Sequence, residues 1–156
     1  MHYTCDLDHI ALNLPIGNCF DVYTLIEKDL HSLAPYLDRK ETNLAHQLLQ
    51  NEQTHSFSAG NGVIVANTTI KDLSRPYHIF YRTQQPFKFN TVDDKHVDLI
   101  LVLLSPETDG PLHLRRLSRL TRLMQDDIFV QHLREMNDEE SIRGQFMYPE
   151  QSTRAA

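Results

Sequence analysis

The sequence has no tryptophan, only two cysteines and no long apolar run in its 156 residues. Two cysteines, Cys5 and Cys19, are too few for a disulfide framework and lack metal-ligand spacing, so we expect reduced thiols and a cytoplasmic protein. No segment is apolar enough to span a bilayer, and the N-terminus lacks the features of a signal peptide. Cations are outnumbered, and the net charge of −6 excludes nucleic-acid binding driven by phosphate contacts.

Histidine is abundant by contrast, with nine copies. Most of them show no mutual ligand spacing, so the sequence predicts no metal site and no bound cofactor. His55 and His113 are considered below, with the motifs that they accompany. The remaining histidines are expected at the surface or in half-buried positions.

Hydrophobic periodicity predicts one α/β domain over residues 1–146, followed by a flexible tail over 147–156. Apolar residues alternate at 10–16 and 77–81 and form short continuous runs at 63–66 and 99–104, which predicts four strands. Helical spacing and capping signals predict helices at 20–34, from 38 to about 53 and from 111 to 124, with two short ones beginning near 126 and 137.

The organising stretch is Gly60-Asn61-Gly62 followed by Val63-Ile64-Val65 and Ala66-Asn67. Glycine and asparagine tolerate positive φ, so the first three residues predict a tight turn into a strand. The two threonines after Asn67 then suggest that this residue ends the strand. In α/β folds, ligand-binding groups collect at the carboxyl ends of strands, which makes Asn67 a candidate site residue.

This segment resembles the active-site strand of the IIA domains of fructose/mannitol type in the phosphoenolpyruvate-dependent sugar phosphotransferase system (PTS). The nitrogen-regulatory IIA proteins are the most similar. Their pattern is Arg-Glu, Ser-Thr-Gly, Gly-Asn-Gly, three apolar residues and Pro-His-Gly. The matching positions here are Asn51-Glu52, Ser56-Phe57-Ser58, Gly60-Asn61-Gly62, Val63-Ile64-Val65 and Ala66-Asn67-Thr68.

Two further segments carry the resemblance. Phe89, Asp93 and Val97-Asp98-Leu99 match a family motif that leads into a buried strand, although His96 replaces the family's proline. His113 matches a second active-site histidine at the start of a helix. The resemblance implies a mixed sheet of about five strands with helices on both faces.

The resemblance also implies that Asn67 stands where the family carries its phosphoryl-accepting histidine. An asparagine amide has no free nitrogen lone pair, because that pair is delocalised into the carbonyl, so it cannot take up phosphate as an imidazole does. Asn51 replaces the arginine that would answer phosphate charge. We therefore expect Asn67 and His113 at a degenerate site, with Asn51, Ser56 and Asn61 among its binding positions.

Three functions remain open from the sequence. The first is a regulatory IIA-like protein that binds partners, such as a histidine phosphocarrier (HPr-like), a transporter or a sensor kinase, as a mimic of the unphosphorylated state. The second is an active phosphocarrier that uses His113 or His55. The third is a self-associating module. The partner and the oligomeric state cannot be read from the residues.

A basic row, Arg115, Arg116, Arg119 and Arg122, occupies the helix that carries His113. Residues 115, 119 and 122 share one helical face, which is either a solvated surface or a docking surface for an acidic partner. The start of this helix also offers backbone N–H groups to an anion.

Overall fold

The computed structural model describes residues 5–39, 43–89, 93 and 95–149. Its centre is a five-stranded mixed sheet in the order β1-β4-β5-β3-β2. The strands are β1 (His9–Leu14), β2 (Ser58–Gly60), β3 (Val63–Ile70), β4 (Tyr77–Phe87) and β5 (Val97–Pro106). The helices are α1 (Cys19–Leu33), α2 (Leu44–Thr54), α3 (Pro111–Met124), α4 (Asp127–Glu135) and α5 (Glu139–Met147).

Helices cover both faces of the sheet, as expected. The α1 and α2 face packs on Ile64, Ala66 and Ile100, whereas the α3, α4 and α5 face packs on Val65 and Leu101. Because side chains alternate along a strand, successive residues of each central strand's apolar run pack into different cores. The near-continuous apolar sequence of β5 is the consequence of burial on both faces.

Several elements differ from the expectations, and strands β4 and β5 both run beyond their predicted ends, to Phe87 and Pro106. Strand β3 continues to Ile70, paired with β5 along its whole length, so Asn67 lies within the strand and not at its end. The short strand β2 was not predicted. Helix α2 begins at Leu44 and not near residue 38, and residues 40–42 of the predicted helix lie outside the described residues.

The C-terminal helix α5 runs to Met147, with Ile142 and Phe146 in the core as predicted. Residues 150–156, most of the predicted tail, lie outside the described residues. Within the described part of the chain, no helix has both the length and the apolarity to cross a membrane.

Strand β3 is longer than its neighbour β2, and this difference in length leaves room for the site. Strand β2 pairs only with Val63 and Ile64, and the Phe57 carbonyl accepts one further bond from the Val65 N–H. Beyond Val65, no strand in the described part of the chain pairs with the outer edge of β3. That edge opens between the end of α2 and the start of α3.

Candidate functional site

A cleft of about 520 Å³ occupies this open edge. Its wall is formed by the end of α2, the segment that leads into β2, the second half of β3 and one side of α3. The lining residues that bear on function are Asn51, His55, Ser56, Phe57, Asn67 and His113. Asn67 and His113, both expected at the site from the resemblance, line this cleft and contact each other.

The Asn67 side chain is held by two contacts. Its Nδ2 donates to the Val65 carbonyl at 3.0 Å, which turns Oδ1 toward His113. The distance from His113 Nε2 to Asn67 Oδ1 is 3.2 Å. A carbonyl oxygen can only accept a hydrogen bond, so Nε2 of His113 carries the proton in this contact.

The other nitrogen of His113 is also engaged. Its Nδ1 lies 2.8 Å from the hydroxyl of Ser105, a residue with 0% exposure. Ser105 Oγ in turn accepts a bond from Arg116 Nη1 at 3.2 Å. In a neutral imidazole protonated on Nε2, Nδ1 is an acceptor, so Ser105 donates to it. The result is a directed chain of hydrogen bonds from Arg116 through Ser105 and His113 to Asn67.

The electrostatic surroundings keep His113 neutral. Burial lowers the pKa of His113 below its ordinary range, and the nearby Arg116 guanidinium lowers it further. Asp109 opposes this effect, but its carboxylate is paired with Arg116 at 2.6 Å. The directed chain requires a neutral ring protonated on Nε2, and the lowered pKa of His113 favours the neutral ring.

A second network lies on the α2 side of the cleft. Asn51 Nδ2 donates to the hydroxyl of Thr68 at 2.7 Å and approaches the Asn67 carbonyl at 3.5 Å. Gln47 Nε2 donates to the same hydroxyl at 2.7 Å. The amide donor of Asn51 is thus used within the protein and does not point toward a bound anion.

The segment before β2 supplies the remaining polar groups. The exposed Ser56 accepts a bond from the backbone N–H of Ser58, which shapes the segment, and Phe57 is buried against Tyr23. His55, directly after α2, is exposed at the cleft. These residues make a rim of hydroxyl, ring and apolar surfaces without a lysine or arginine side chain among the described lining residues.

The structure does not bring Asn61 into the cleft. Its turn has φ values of 85°, 55° and 80° at residues 60–62 and lies at the opposite end of β3. The Asn61 amide donates to Asp127 at 3.1 Å and accepts from Lys95 at 3.1 Å. This residue therefore ties the turn to α4.

Nor do the arginines of α3 line the cleft. Arg115 and Arg119 are exposed on the outer side of the helix. Arg116 neither lines the cleft nor points outward with these two arginines, because its guanidinium turns inward to Ser105 and Asp109. Among the described residues, no group of three histidine, cysteine or acidic side chains could hold a metal ion.

Sequence reasoning missed Ser105, Gln47 and Thr68. Ser105 and Thr68 each follow directly after the predicted end of a strand, and Ser105 was therefore expected in a loop. Nothing in their local sequence marks them, because each becomes important only through a partner that is distant along the chain.

Comparison with known proteins decides the family. The family described as phosphoenolpyruvate-dependent sugar phosphotransferase system, EIIA 2, matches residues 23–146. The chain belongs to this family. The resemblance read from the sequence motifs and the predicted mixed α/β fold are both confirmed.

The curated relatives of this EIIA 2 protein include nitrogen regulatory proteins. The chain is 34% identical over 95 residues to the one from Bradyrhizobium diazoefficiens, covering 61% of this chain and 62% of the relative. It is 27% identical over 96 residues to that of Escherichia coli K12, covering 61% and 59%. The chain therefore matches about three fifths of the length of each of these relatives.

A solved relative extends the match across the fold. The crystal structure of the nitrogen regulatory protein IIA-Ntr from Neisseria meningitidis superposes with a TM-score of 0.74 at 26% identity, covering 87% of this chain and 91% of that one. The EIIA 2 protein thus shares the architecture of the nitrogen-regulatory branch.

Proposed function

We propose that this EIIA 2 protein is a cytoplasmic regulator that binds protein partners and does not accept phosphate in its cleft. The observation that carries the proposal is the directed hydrogen-bond chain through His113. In a relay the acceptor must present a nitrogen lone pair to the incoming phosphoryl group. Asn67 has none to present.

His113 does not compensate for that loss. In the chain described above, its one lone pair is on Nδ1 and points at the buried Ser105 hydroxyl. The nitrogen that faces the cleft, Nε2, carries the proton and donates to Asn67. A nucleophilic attack from His113 would need the ring to exchange both contacts, and geometry precedes pKa in such assignments.

The described lining of the cleft is also poorly suited to hold a phosphate by charge. The described lining residues include neither lysine nor arginine, and the Asn51 donor is used by Thr68. An incoming dianion would lose hydration without gaining charge-assisted hydrogen bonds in return. This argument extends to His55, whose exposed ring has no cation beside it among the described lining residues.

The same arrangement would keep the cleft in a single, unphosphorylated state for binding to a partner. Asn67 presents an amide roughly where the family's imidazole would be, and its position is fixed by Val65 and His113. Apolar side chains, including Phe57 and Leu117, also line the cleft. A partner that recognises the unphosphorylated IIA surface would find it permanently available.

The test is transfer of labelled phosphate from phosphoenolpyruvate through enzyme I and a histidine phosphocarrier. The wild-type protein and its His113→Ala and His55→Ala variants should all remain without acid-labile label. If the wild type becomes labelled and one alanine variant does not, the protein is an active phosphocarrier and that histidine is its acceptor.

A further inference from the structure

The outer face of α3 is a row of arginines that begins with an exposed leucine. Leu112, Arg115, Arg119 and Arg122 follow one another at helical spacings of three, four and three residues, which puts them on one face. All four are exposed, and 48% of the Leu112 surface is accessible. We define this set as the α3 stripe.

The positive charge of the stripe is not neutralised by its own helix. Helix α3 contains four arginines and no acidic residue, in a protein whose net charge is −6. Within the described part of the chain, Arg115 and Arg122 have no carboxylate partner. Arg116, which does have one, is the arginine that turns away from the stripe.

The acidic groups nearest in the chain are already occupied by other bonds. Asp109, before the helix, pairs with Arg116. After the helix, Asp126 caps α4 by accepting from the Ile128 and Phe129 N–H groups, and Asp127 accepts from Asn61. Among the described residues, Arg115 and Arg122 therefore retain their charge for an external partner.

We propose that the α3 stripe docks an acidic helix of a partner protein. The stripe extends over residues 112–122, about 15 Å of helix, which a partner helix of some three turns would cover. Carboxylates spaced three or four residues apart would meet the arginines, and an apolar side chain of the partner would cover Leu112. Leu114, with 65% of its surface exposed, lies on a different side of α3, at the rim of the cleft, and is not part of this contact.

Other polyanions fit this surface less well. An anionic bilayer binds helices that present a broad apolar face, whereas the α3 stripe has one leucine at one end. Nucleic acid is attracted by charge summed over many phosphate contacts, and the net charge of −6 opposes it. A short acidic helix needs only the local charge that the stripe supplies.

The experiment is an unbiased selection of helical peptides from a display library against the whole protein. Peptides that bind should be enriched in glutamate and aspartate at spacings of three, four and seven residues. Reversal of two stripe charges, Arg115→Glu with Arg122→Glu, should weaken their binding by about tenfold or more, and added salt should weaken it in the wild type.

The matched control reverses two exposed cations on another surface, Lys28→Glu with Arg39→Glu, which changes the net charge equally. This variant should retain the affinity of the wild type within about twofold. Neutral or basic peptides, equal losses in both variants, or a selection without binders would overturn the proposal. So would stronger binding of the stripe to vesicles of phosphatidylglycerol and phosphatidylcholine than to any peptide.

The inference rests on the proposed binding role but has a separate test. Phosphate transfer on the same variants reports on the cleft alone. If the wild type takes up phosphate, the proposed function fails and the peptide result stands. If peptides ignore the stripe while the protein stays unlabelled, only the partner assignment fails.

Discussion

Removing the Ser105 hydroxyl tests the hydrogen-bond chain at its centre. Ser105→Ala leaves His113 Nδ1 as a buried acceptor without a donor and takes away one of the bonds of Arg116 Nη1. Leaving one buried polar group unsatisfied costs about 1–3 kcal/mol of unfolding free energy. We expect a loss in that range by urea denaturation, because Ser105 has no exposed surface through which water could replace the bond.

The control and a second readout separate this effect from general damage. Ser118→Ala removes an exposed hydroxyl from the same helix as His113 and should change the unfolding free energy by less than about 0.5 kcal/mol. Nitrogen NMR should show His113 protonated on Nε2 in the wild type and a shifted tautomer balance in Ser105→Ala. An unchanged stability together with unchanged His113 nitrogen shifts would refute the directed chain.

Three further predictions follow from other parts of the molecule. Gly62→Ala should lower the free energy of unfolding, measured by urea denaturation, by at least about 2 kcal/mol, because φ is +80° and a Cβ would meet three atoms at 3.1 Å or closer. Gly144→Ala, in a helix with open space around it, should instead raise it by about 0.5–1 kcal/mol. Equal effects of the two substitutions would contradict this prediction. Burial lowers the pKa of His78 to about 4, so as the pH falls His78 is protonated in the unfolded chain before it is protonated in the folded protein. About 3 kcal/mol of unfolding free energy should therefore be lost between pH 6.5 and 4. His78→Gln should flatten that part of the stability profile, and an unchanged profile would contradict this prediction. Asn67→His with Asn51→Arg should accept labelled phosphate, whereas Asn67→Ala should not; a folded double variant without label would show that these two losses are not sufficient to explain inactivity.

The sequence predicted the fold correctly in those elements where buried residues follow a simple pattern along the chain. The alternation around Ile79 and the apolar run before Leu104 predicted central strands, because both features arise from burial that each residue experiences along one element. The capping signal of α4 was likewise local, since Asp126 accepts from N–H groups only two and three residues away.

The extent of β3 could not be read in the same way. Asn67, Thr68 and Thr69 are polar and follow a short apolar run, which locally favours a strand end. Their strand conformation depends on pairing with β5 and, for Thr68, on hydrogen bonds from Gln47 and Asn51. Tertiary contacts therefore overrode the local preference.

The candidate site was only partly predictable. The resemblance named Asn67 and His113, which lie 3.2 Å apart, but their roles remain predictions. The buried Ser105 and the inward turn of Arg116 depend on how β5 meets α3, information that no single segment contains. Asn61 was misjudged as a cleft residue because a motif gives order along the chain and not distance in space.

The most direct test of the central claim is the intact mass of the wild-type protein after incubation with phosphoenolpyruvate, enzyme I and a histidine phosphocarrier, measured without acid. The account predicts an unchanged mass, with the Asn67→His and Asn51→Arg double variant as the comparison that gains one phosphoryl group. A wild-type protein that gains a phosphoryl group and returns it to the carrier would contradict the account.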